Sequence, residues 1–341
     1  MVRVKVKSSD DLVHEEVDKT TGLIKEVFTN NPKLKKSGGL YFSSDNRDLT
    51  FIKSGCTTLD QALGGGWARR RISNIVGDRS TGKTLLAIEM AANFAFSEPK
   101  GKIRYREAES AFDDKYAAAL GFPLEKVDRG EPMETVDDLF EDMSAVLEGS
   151  KGPELYIVDS LDALSDRDEM ERDIDKGSYG AQKAKKLSEM FRRLVRELAS
   201  KDVTVCFISQ VRDNIGVTFG RKWTRSGGRA LDFYSSQTLV LSQIEKIKKT
   251  IKKVERVTGI LVKGMVDKNK IGLPYRSVEF PIMFGYGIDD LGACRDWWKD
   301  VTGEVVAKEI PLEELQQMVC EEWKAIEDRF AISESKYGEQ K

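Results

Sequence analysis

The chain has 341 residues, of which 33% are charged, and its formal net charge of -2 gives no overall positive field, so any DNA site must be a local patch. A single histidine, and four cysteines without CxxC spacing, argue against zinc binding and histidine-based catalysis. No apolar run reaches the roughly 18 residues of a membrane span and the N-terminus lacks a signal-peptide core, so we expect a cytoplasmic protein with no membrane partner.

The order of apolar runs along the chain predicts three segments. Residues 1–50 are polar with one short helical pattern, which predicts an oligomerisation helix and a linker. Over 51–290, alternating apolar runs and helical stretches predict an α/β fold with a mostly parallel central sheet, helices on both faces and antiparallel edge strands. Residues 291–341 predict a short acidic C-terminal helical tail. The predicted parallel strands are 72–76, 102–107, 154–160 and 203–209, the helices include 84–96 and 184–200, and the antiparallel strands are 238–244 and 258–266.

A basic run separates the two predicted antiparallel strands. It extends from Lys246 to Arg256 and reads KIKKTIKKVER. One interpretation is a solvated hairpin tip, and the other is a surface that contacts DNA phosphates. The sequence leaves both open.

The strongest local motif follows the first predicted parallel strand. The segment GDRSTGKT fits the pattern GxxxxGK[ST], with a strand before it and a helix after it. In such a loop, glycines let backbone N–H groups approach phosphate oxygens, the lysine neutralises the β- and γ-phosphates, and the last hydroxyl binds Mg²⁺. We therefore predict a site for ATP and Mg²⁺. Its residues are Gly77, Asp78, Arg79, Ser80, Thr81, Gly82, Lys83 and Thr84, followed by Leu85.

Polar side chains also follow three other predicted strands. Asp159 ends an apolar run, which is the Walker B arrangement and predicts a carboxylate near Mg²⁺. Glu109 follows the run 102–107 and is placed to orient or deprotonate an attacking water, or else belongs to a solvated acidic turn. Gln210 is placed to hydrogen-bond the γ-phosphate, or else is simply a polar strand end.

Taken together, these motifs resemble the RecA family of recombinases. The similarity includes ISNIVGDRSTGKTLL, REAESAFDDKYAAALGF, LYIVDSLDALS and VDKNKIGLPYRSVEF, and it covers about residues 52–290. Its most specific part is QVRDNIGVTFG followed by GGRALDFY. The resemblance implies that Glu109 is the catalytic glutamate and that Gln210 senses the γ-phosphate. It also implies that Asp113 and Tyr116 contact adenine, the latter by stacking.

The resemblance further implies a site shared between subunits. Phe233 resembles the aromatic residue that relays the nucleotide state to the next subunit. Lys268 and Lys270 resemble lysines that reach a neighbour's γ-phosphate. By pattern alone, these two lysines read as a solvated hairpin.

Two segments are candidates for DNA binding. The loop from Arg212 to Arg229 offers positive charge, glycines that allow close backbone approach, and apolar side chains that can contact bases. Without the family it reads as a flexible glycine-rich loop. A second candidate is the basic helix face that includes Lys183, which is either solvated or in contact with phosphate. The loop candidates are Arg212, Asn214, Ile215, Val217, Phe219, Gly227, Gly228 and Arg229.

The function implied by the resemblance is ATP-dependent homologous recombination. Such a protein forms a helical filament on single-stranded DNA and exchanges strands with a homologous duplex, with DNA-stimulated ATP hydrolysis and possible help from a single-strand-binding protein or a loader. The segment DSLDALSDRDEMERDID resembles phage recombinases of the UvsX type, which implies a compact type acting in a bacterial host or phage-infected cell. The alternatives are a regulatory paralogue without strand exchange and a hexameric helicase on the same core.

Overall fold

The computed structural model describes residues 49–108, 112–165, 180–213, 223–224 and 228–331. The helix predicted near the N-terminus, Glu109 and residues 214–222 of the predicted DNA loop lie outside this part of the chain. From Thr50 onward the described residues form one compact unit. None of their helices is long and apolar enough to cross a bilayer.

A nine-stranded sheet dominates the described residues, in the order β13-β12-β11-β10-β3-β7-β6-β4-β5. The pairs from β10 through β5 are parallel, and those from β13 to β10 are antiparallel. This confirms the predicted α/β sheet with antiparallel edge strands. The sheet strands are β3 (Ile72–Gly77), β4 (Lys102–Glu107), β5 (Val127–Asp128), β6 (Glu154–Asp159), β7 (Val203–Gln210), β10 (Gln237–Ile251), β11 (Val254–Asn269), β12 (Ser277–Met283) and β13 (Gly287–Ile288); the short pairs are β1 (Phe51–Ile52) with β2 (Trp67–Ala68), and β8 (Arg212–Asp213) with β9 (Trp223–Thr224).

Helices cover both faces of this sheet. The central parallel strands β3, β6 and β7 are buried along almost their whole length, as their continuous apolar runs predict. On one face Phe94 of α2 belongs to a cluster with Ile157, and on the other Phe191 of α5 packs with Phe207. The helices are α1 (Thr57–Leu63), α2 (Lys83–Ser97), α3 (Asp114–Ala119), α4 (Val136–Gly149), α5 (Gly180–Lys201), α6 (Gly228–Tyr234), α7 (Asp290–Thr302) and α8 (Leu312–Phe330).

Strands β10 and β11 form a hairpin longer than predicted. The basic run 246–256 was predicted to lie between two strands, but only Lys252 and Lys253 occupy the turn and the rest continues the strands. The length of an apolar run underestimates the length of these two strands. Their outer part is largely exposed and is held by pairing between the two strands. The run therefore forms a hairpin, and its contact with DNA phosphates stays a prediction.

Two C-terminal helices, rather than one, follow the sheet. Asp290 at the start of α7 accepts hydrogen bonds from the Thr57 amide (2.6 Å) and hydroxyl (2.8 Å) at the start of α1. Arg276 forms an ion pair with Glu327 of α8. The described part of the acidic tail is therefore attached to the sheet and to α1 by specific polar contacts.

Candidate nucleotide site and DNA interface

Four parallel strands end side by side at one edge of the sheet. Gly77 at the end of β3 pairs with Gln210 at the end of β7, and Glu107 of β4 pairs with Asp159 of β6. In open α/β sheets, ligands bind in the crevice outside these carboxyl ends. The register thus brings the predicted P-loop, Walker B aspartate and γ-phosphate sensor to one crevice.

The loop between β3 and α2 has the tight geometry of a phosphate cradle. Ser80 and Gly82 have left-handed φ angles of 57° and 89°, and Gly82 directly precedes α2. A Cβ atom placed on Gly77 would lie 2.6 Å from the Thr81 hydroxyl oxygen, and one on Gly82 would overlap Ile282. Glycine is therefore required at both positions. The partial positive charge of the helix N-terminus favours an anion at this place.

The loop is held by its own side chains. The Lys83 ammonium donates a hydrogen bond to the Asp78 carbonyl at 2.7 Å, and the Thr81 hydroxyl donates to the same oxygen at 2.9 Å. The Arg79 amide donates to the Asp78 carboxylate at 2.7 Å. Lys83 thus lies over the loop that would cradle an anion.

Thr84 and Asp159 form the predicted metal-binding pair. The Thr84 hydroxyl, at the start of α2, donates a hydrogen bond to Asp159 Oδ2 at the end of β6, at 2.8 Å. Strand β7 lies between β3, which precedes α2, and β6 in the sheet. Hydroxyl and carboxylate oxygens are hard donors of the kind Mg²⁺ prefers, together with waters and phosphate oxygens. The residues present therefore fit Mg²⁺ between this pair and a bound nucleotide.

Sequence reasoning missed a tyrosine that supports this pair. The Tyr105 hydroxyl donates to the same Asp159 oxygen at 2.8 Å, and Tyr105 is 2% exposed. Burial, with the charge of Asp159, raises the pKa of Tyr105 well above its usual value, so the phenol remains a donor. In the run KIRYRE nothing distinguishes Tyr105 from a core aromatic, because its partner is distant in sequence.

Tyr105→Phe removes this hydroxyl and keeps the ring. Asp159 then loses one of the contacts that fix its orientation, so we expect about a tenfold rise in the Mg²⁺ concentration needed to bind a fluorescent ADP analogue. The matched control is Tyr156→Phe, since that buried tyrosine donates to Asp142 at 2.6 Å, away from the crevice. The same Mg²⁺ dependence in both variants would contradict a positioning role for Tyr105.

A cavity of about 690 Å³ opens beside the P-loop. Tyr116, which the resemblance assigns to adenine, lines it and is 39% exposed. The cavity is also lined by residues of the hairpin, of β12 and by Phe284, which sequence reasoning did not connect with the nucleotide. Its size and mixed lining suit a nucleotide. The lining residues are Ser80, Thr81, Gly82, Lys83, Thr84, Leu85, Tyr116, Gln243, Lys246, Val257, Ile260, Ile282 and Phe284.

The other predicted adenine residue shapes the local backbone. Asp113 caps α3, where its carboxylate accepts the amides of Lys115 (2.9 Å) and Tyr116 (3.1 Å). Glu107 at the end of β4 accepts the Phe112 backbone amide at 3.0 Å. Glu109 lies outside the described residues, so its catalytic role stays a prediction.

A second missed residue positions Gln210. The Asp162 carboxylate, three residues after Asp159, accepts a hydrogen bond from the Gln210 backbone N–H at 2.6 Å. The next amide, that of Val211, donates to the Gly77 carbonyl at 3.2 Å. The strand end that leads into the predicted DNA loop is thereby tied both to the P-loop and to the turn after β6.

Three residues assigned to the subunit interface lie together. The Lys268 and Lys270 ammonium groups donate to the Phe233 carbonyl, at 2.9 and 3.1 Å, near the C-terminus of α6. Lys270 also lies 5.8 Å from the centre of the Phe233 ring, which belongs to a residue that is 70% exposed. Cations near helix C-terminal carbonyls are favourable. The predicted relay residue and the two predicted lysines therefore form one surface cluster.

The predicted DNA segments are described only in part. At the start of the loop, β8 pairs with β9 in antiparallel register, and α6 begins at Gly228. Asn214, Ile215, Val217, Phe219 and Gly227 lie outside the described residues. Lys183 is half-buried and donates to the carbonyls of Leu161 (3.5 Å) and Leu164. Lys183 therefore supports the turn after β6, and its contact with DNA stays a prediction.

Comparison with known proteins shows the family of the chain. The family model described as RecA N-terminal domain matches residues 24–289. The chain is 38% identical over 263 residues to Protein RecA of Synechococcus sp. (strain CC9605), an alignment that covers 75% of this chain and 66% of that protein. It is 37% identical over 251 residues to Protein RecA of Prochlorococcus marinus (strain NATL1A), covering 72% and 63%. For Protein RecA of Nostoc punctiforme, the values are 37% over 263 residues, 75% and 69%.

The alignments with the Synechococcus and Prochlorococcus proteins span less than two thirds of those relatives' own length. The family match, in contrast, covers most of the present chain and contains the whole crevice from Gly77 to Lys270. Fold, motif spacing and site geometry agree with that match. The chain belongs to the RecA N-terminal domain family.

Proposed function

We propose that this protein is an ATP-dependent recombinase that assembles on single-stranded DNA and exchanges strands with a homologous duplex. The observation that carries the proposal is the hydrogen bond between Thr84 and Asp159, formed beside a γ-phosphate sensor, Gln210, that begins the predicted DNA loop. A site that only bound nucleotide would not need this connection to residues 212–229. ATP and Mg²⁺ are the proposed ligands.

The proposed mechanism uses the chain's own contacts. Lys83 exchanges the Asp78 carbonyl for phosphate oxygens, and the helix N-terminus stabilises the same charge. Bound Mg²⁺ would supply neutralising charge between Thr84 and Asp159. Gln210 is held through its backbone by Asp162, so its side chain can report the γ-phosphate to the loop that follows. A contact made in only one nucleotide state shifts the population of DNA-binding conformations.

We further propose that the nucleotide lies between subunits of a helical filament. The support is the cluster of Phe233, Lys268 and Lys270, whose cations and exposed ring form one patch. A head-to-tail contact that does not close into a ring produces an open filament. A single-strand-binding protein or a loader is a further proposed partner. The compact, UvsX-like subtype rests on the segment from Asp159 to Asp175.

The proposed function is tested by strand exchange between a circular single strand and a homologous linear duplex. With ATP and Mg²⁺, we expect joint molecules and nicked circular product, and filaments by negative-stain microscopy. Single-strand binding without joint molecules would refute strand exchange and favour a regulatory paralogue. Closed six-fold rings that unwind duplex DNA would instead favour a helicase.

A further inference from the structure

The outer part of the hairpin between β10 and β11 projects from the sheet. The pairing of β3 with β10 ends at Leu241, and the pairing of β12 with β11 begins at Gly259. Beyond these points, residues 246–258, here called the arm, are paired mainly with each other. Four residues of β10, 248–251, extend past the level of Gly259, or about 14 Å at roughly 3.4 Å per residue. A two-stranded ribbon of this kind gains little stability by itself.

The arm concentrates positive charge. It contains six basic residues and one acidic residue, and all six basic side chains are exposed. Among the described residues, Lys248 is the arm cation that pairs with a carboxylate, that of Glu255 at 2.9 Å. The chain as a whole has a net charge of -2, so this is a local concentration of charge. The basic residues are Lys246, Lys248, Lys249, Lys252, Lys253 and Arg256.

Cross-strand register divides the arm into two faces. Residues paired across an antiparallel ribbon share a face. One face carries the Lys248 and Glu255 ion pair, and Lys246 and Val257, on the same side, line the nucleotide cavity. The other, here called the cationic face, carries two pairs, Lys249 with Arg256 and Ile251 with Val254.

The cationic face contains features that oppose the stability of the isolated hairpin. Lys249 lies directly opposite Arg256, and like charges at opposed positions are destabilising. The turn places Lys252 and Lys253 at φ angles of 48° and 66°, where asparagine and glycine are the favoured residues. Ile251 is 59% exposed beside them. A ligand that supplies negative charge would relieve the repulsion between Lys249 and Arg256.

We propose that the cationic face and the turn of the arm bind the phosphate backbone of duplex DNA. A two-stranded ribbon fits the major groove of B-DNA, and the lysines and Arg256 match phosphate charge. Proteins that grip single strands usually stack aromatic side chains on the bases, and residues 246–258 contain no aromatic residue. The inference rests on the proposed function in taking DNA as the partner, and it assigns duplex contact to residues outside 212–229.

Two double variants of the full chain remove this charge in different ways. Lys252→Asn with Lys253→Gly deletes two cations and installs the preferred turn sequence, so the hairpin should fold at least as well. Lys249→Gln with Arg256→Gln deletes the opposed pair. The matched control, Lys248→Gln with Glu255→Gln, removes the ion pair without changing net charge. Each chain is titrated against a labelled duplex by fluorescence anisotropy at several salt concentrations.

Each charge-deleting variant should lose at least about tenfold in duplex affinity at low salt, and the slope of log K against log salt should fall by about two. The control should match the parent chain. An unchanged duplex affinity and slope in both variants would overturn the proposal. It would also fail if the variants only lost self-association by sedimentation, since the arm would then contact an acidic surface such as α8 of a second copy. If the variants lower the slope of log K against log salt but the parent chain shows no strand exchange, the duplex contact by the arm is supported. The proposed recombinase function is then refuted.

Discussion

Lys83→Ala is expected to abolish ATP-dependent filament formation on single-stranded DNA. The lysine ammonium lies over the P-loop, hydrogen-bonded to the Asp78 carbonyl at 2.7 Å, and its replacement removes the cation that we propose to meet the β- and γ-phosphates. Loss of one preorganised charged donor from a phosphate site costs about 100-fold or more. We expect nucleotide affinity, measured with a fluorescent ATP analogue, to fall by this factor, and microscopy to show no filaments.

The matched control is Lys100→Ala. It removes an exposed lysine that follows the C-terminal end of α2, whereas the P-loop lies at the N-terminal end of this helix. That variant should bind nucleotide and form filaments like the parent chain. Circular dichroism of both variants checks that they fold. Normal filaments from a folded Lys83→Ala protein would refute the nucleotide assignment of the P-loop.

The second large effect is expected when Lys268 and Lys270 are both changed to alanine. If both reach a neighbour's nucleotide in the filament, DNA-stimulated ATP hydrolysis should fall at least about 100-fold, as for other cations supplied in trans to a transferring phosphoryl group. Nucleotide binding by the isolated subunit should stay within about twofold, since neither lysine lines the 690 Å³ cavity. Hydrolysis is measured with and without single-stranded DNA.

These lysines also hold the end of α6, so a loss of activity needs a second readout. Lys268→Gln with Lys270→Gln keeps a donor for the Phe233 carbonyl and removes the charge. A role in trans predicts that this variant is as inactive as the alanine variant. Restored hydrolysis would show that the lysines act by holding α6. Lys263→Ala, an exposed position on β11, is the control for the strand itself.

The central sheet and half of the crevice were predictable because their signals are local. A run of eight residues between a strand and a helix specifies the P-loop, since its geometry depends on glycines and a helix start within the same segment. Asp159 and Gln210 were predictable from the rule that parallel strands present their carboxyl ends at one edge. The register of β3, β6 and β7 confirms both placements.

Other parts depended on contacts that no local pattern encodes. From the sequence, Tyr105 cannot be distinguished from an ordinary core aromatic residue. Only the folded sheet places its hydroxyl 2.8 Å from Asp159. Asp162 reads as a turn residue until the register brings the Gln210 amide to it. The hairpin was predicted too short, because strand length follows cross-strand pairing as well as apolar burial.

The sequence by itself therefore determined the fold class, the P-loop and the strand ends that carry Asp159 and Gln210, since each depends on residues close together in the chain. Tertiary structure alone decided which distant side chains complete the site. Packing and sheet register brought Phe284 and the hairpin to the nucleotide cavity, and brought Lys268 and Lys270 to the end of α6. These contacts join segments that are far apart in the chain. No local pattern predicts them, because the order of strands in the sheet differs from their order in the chain.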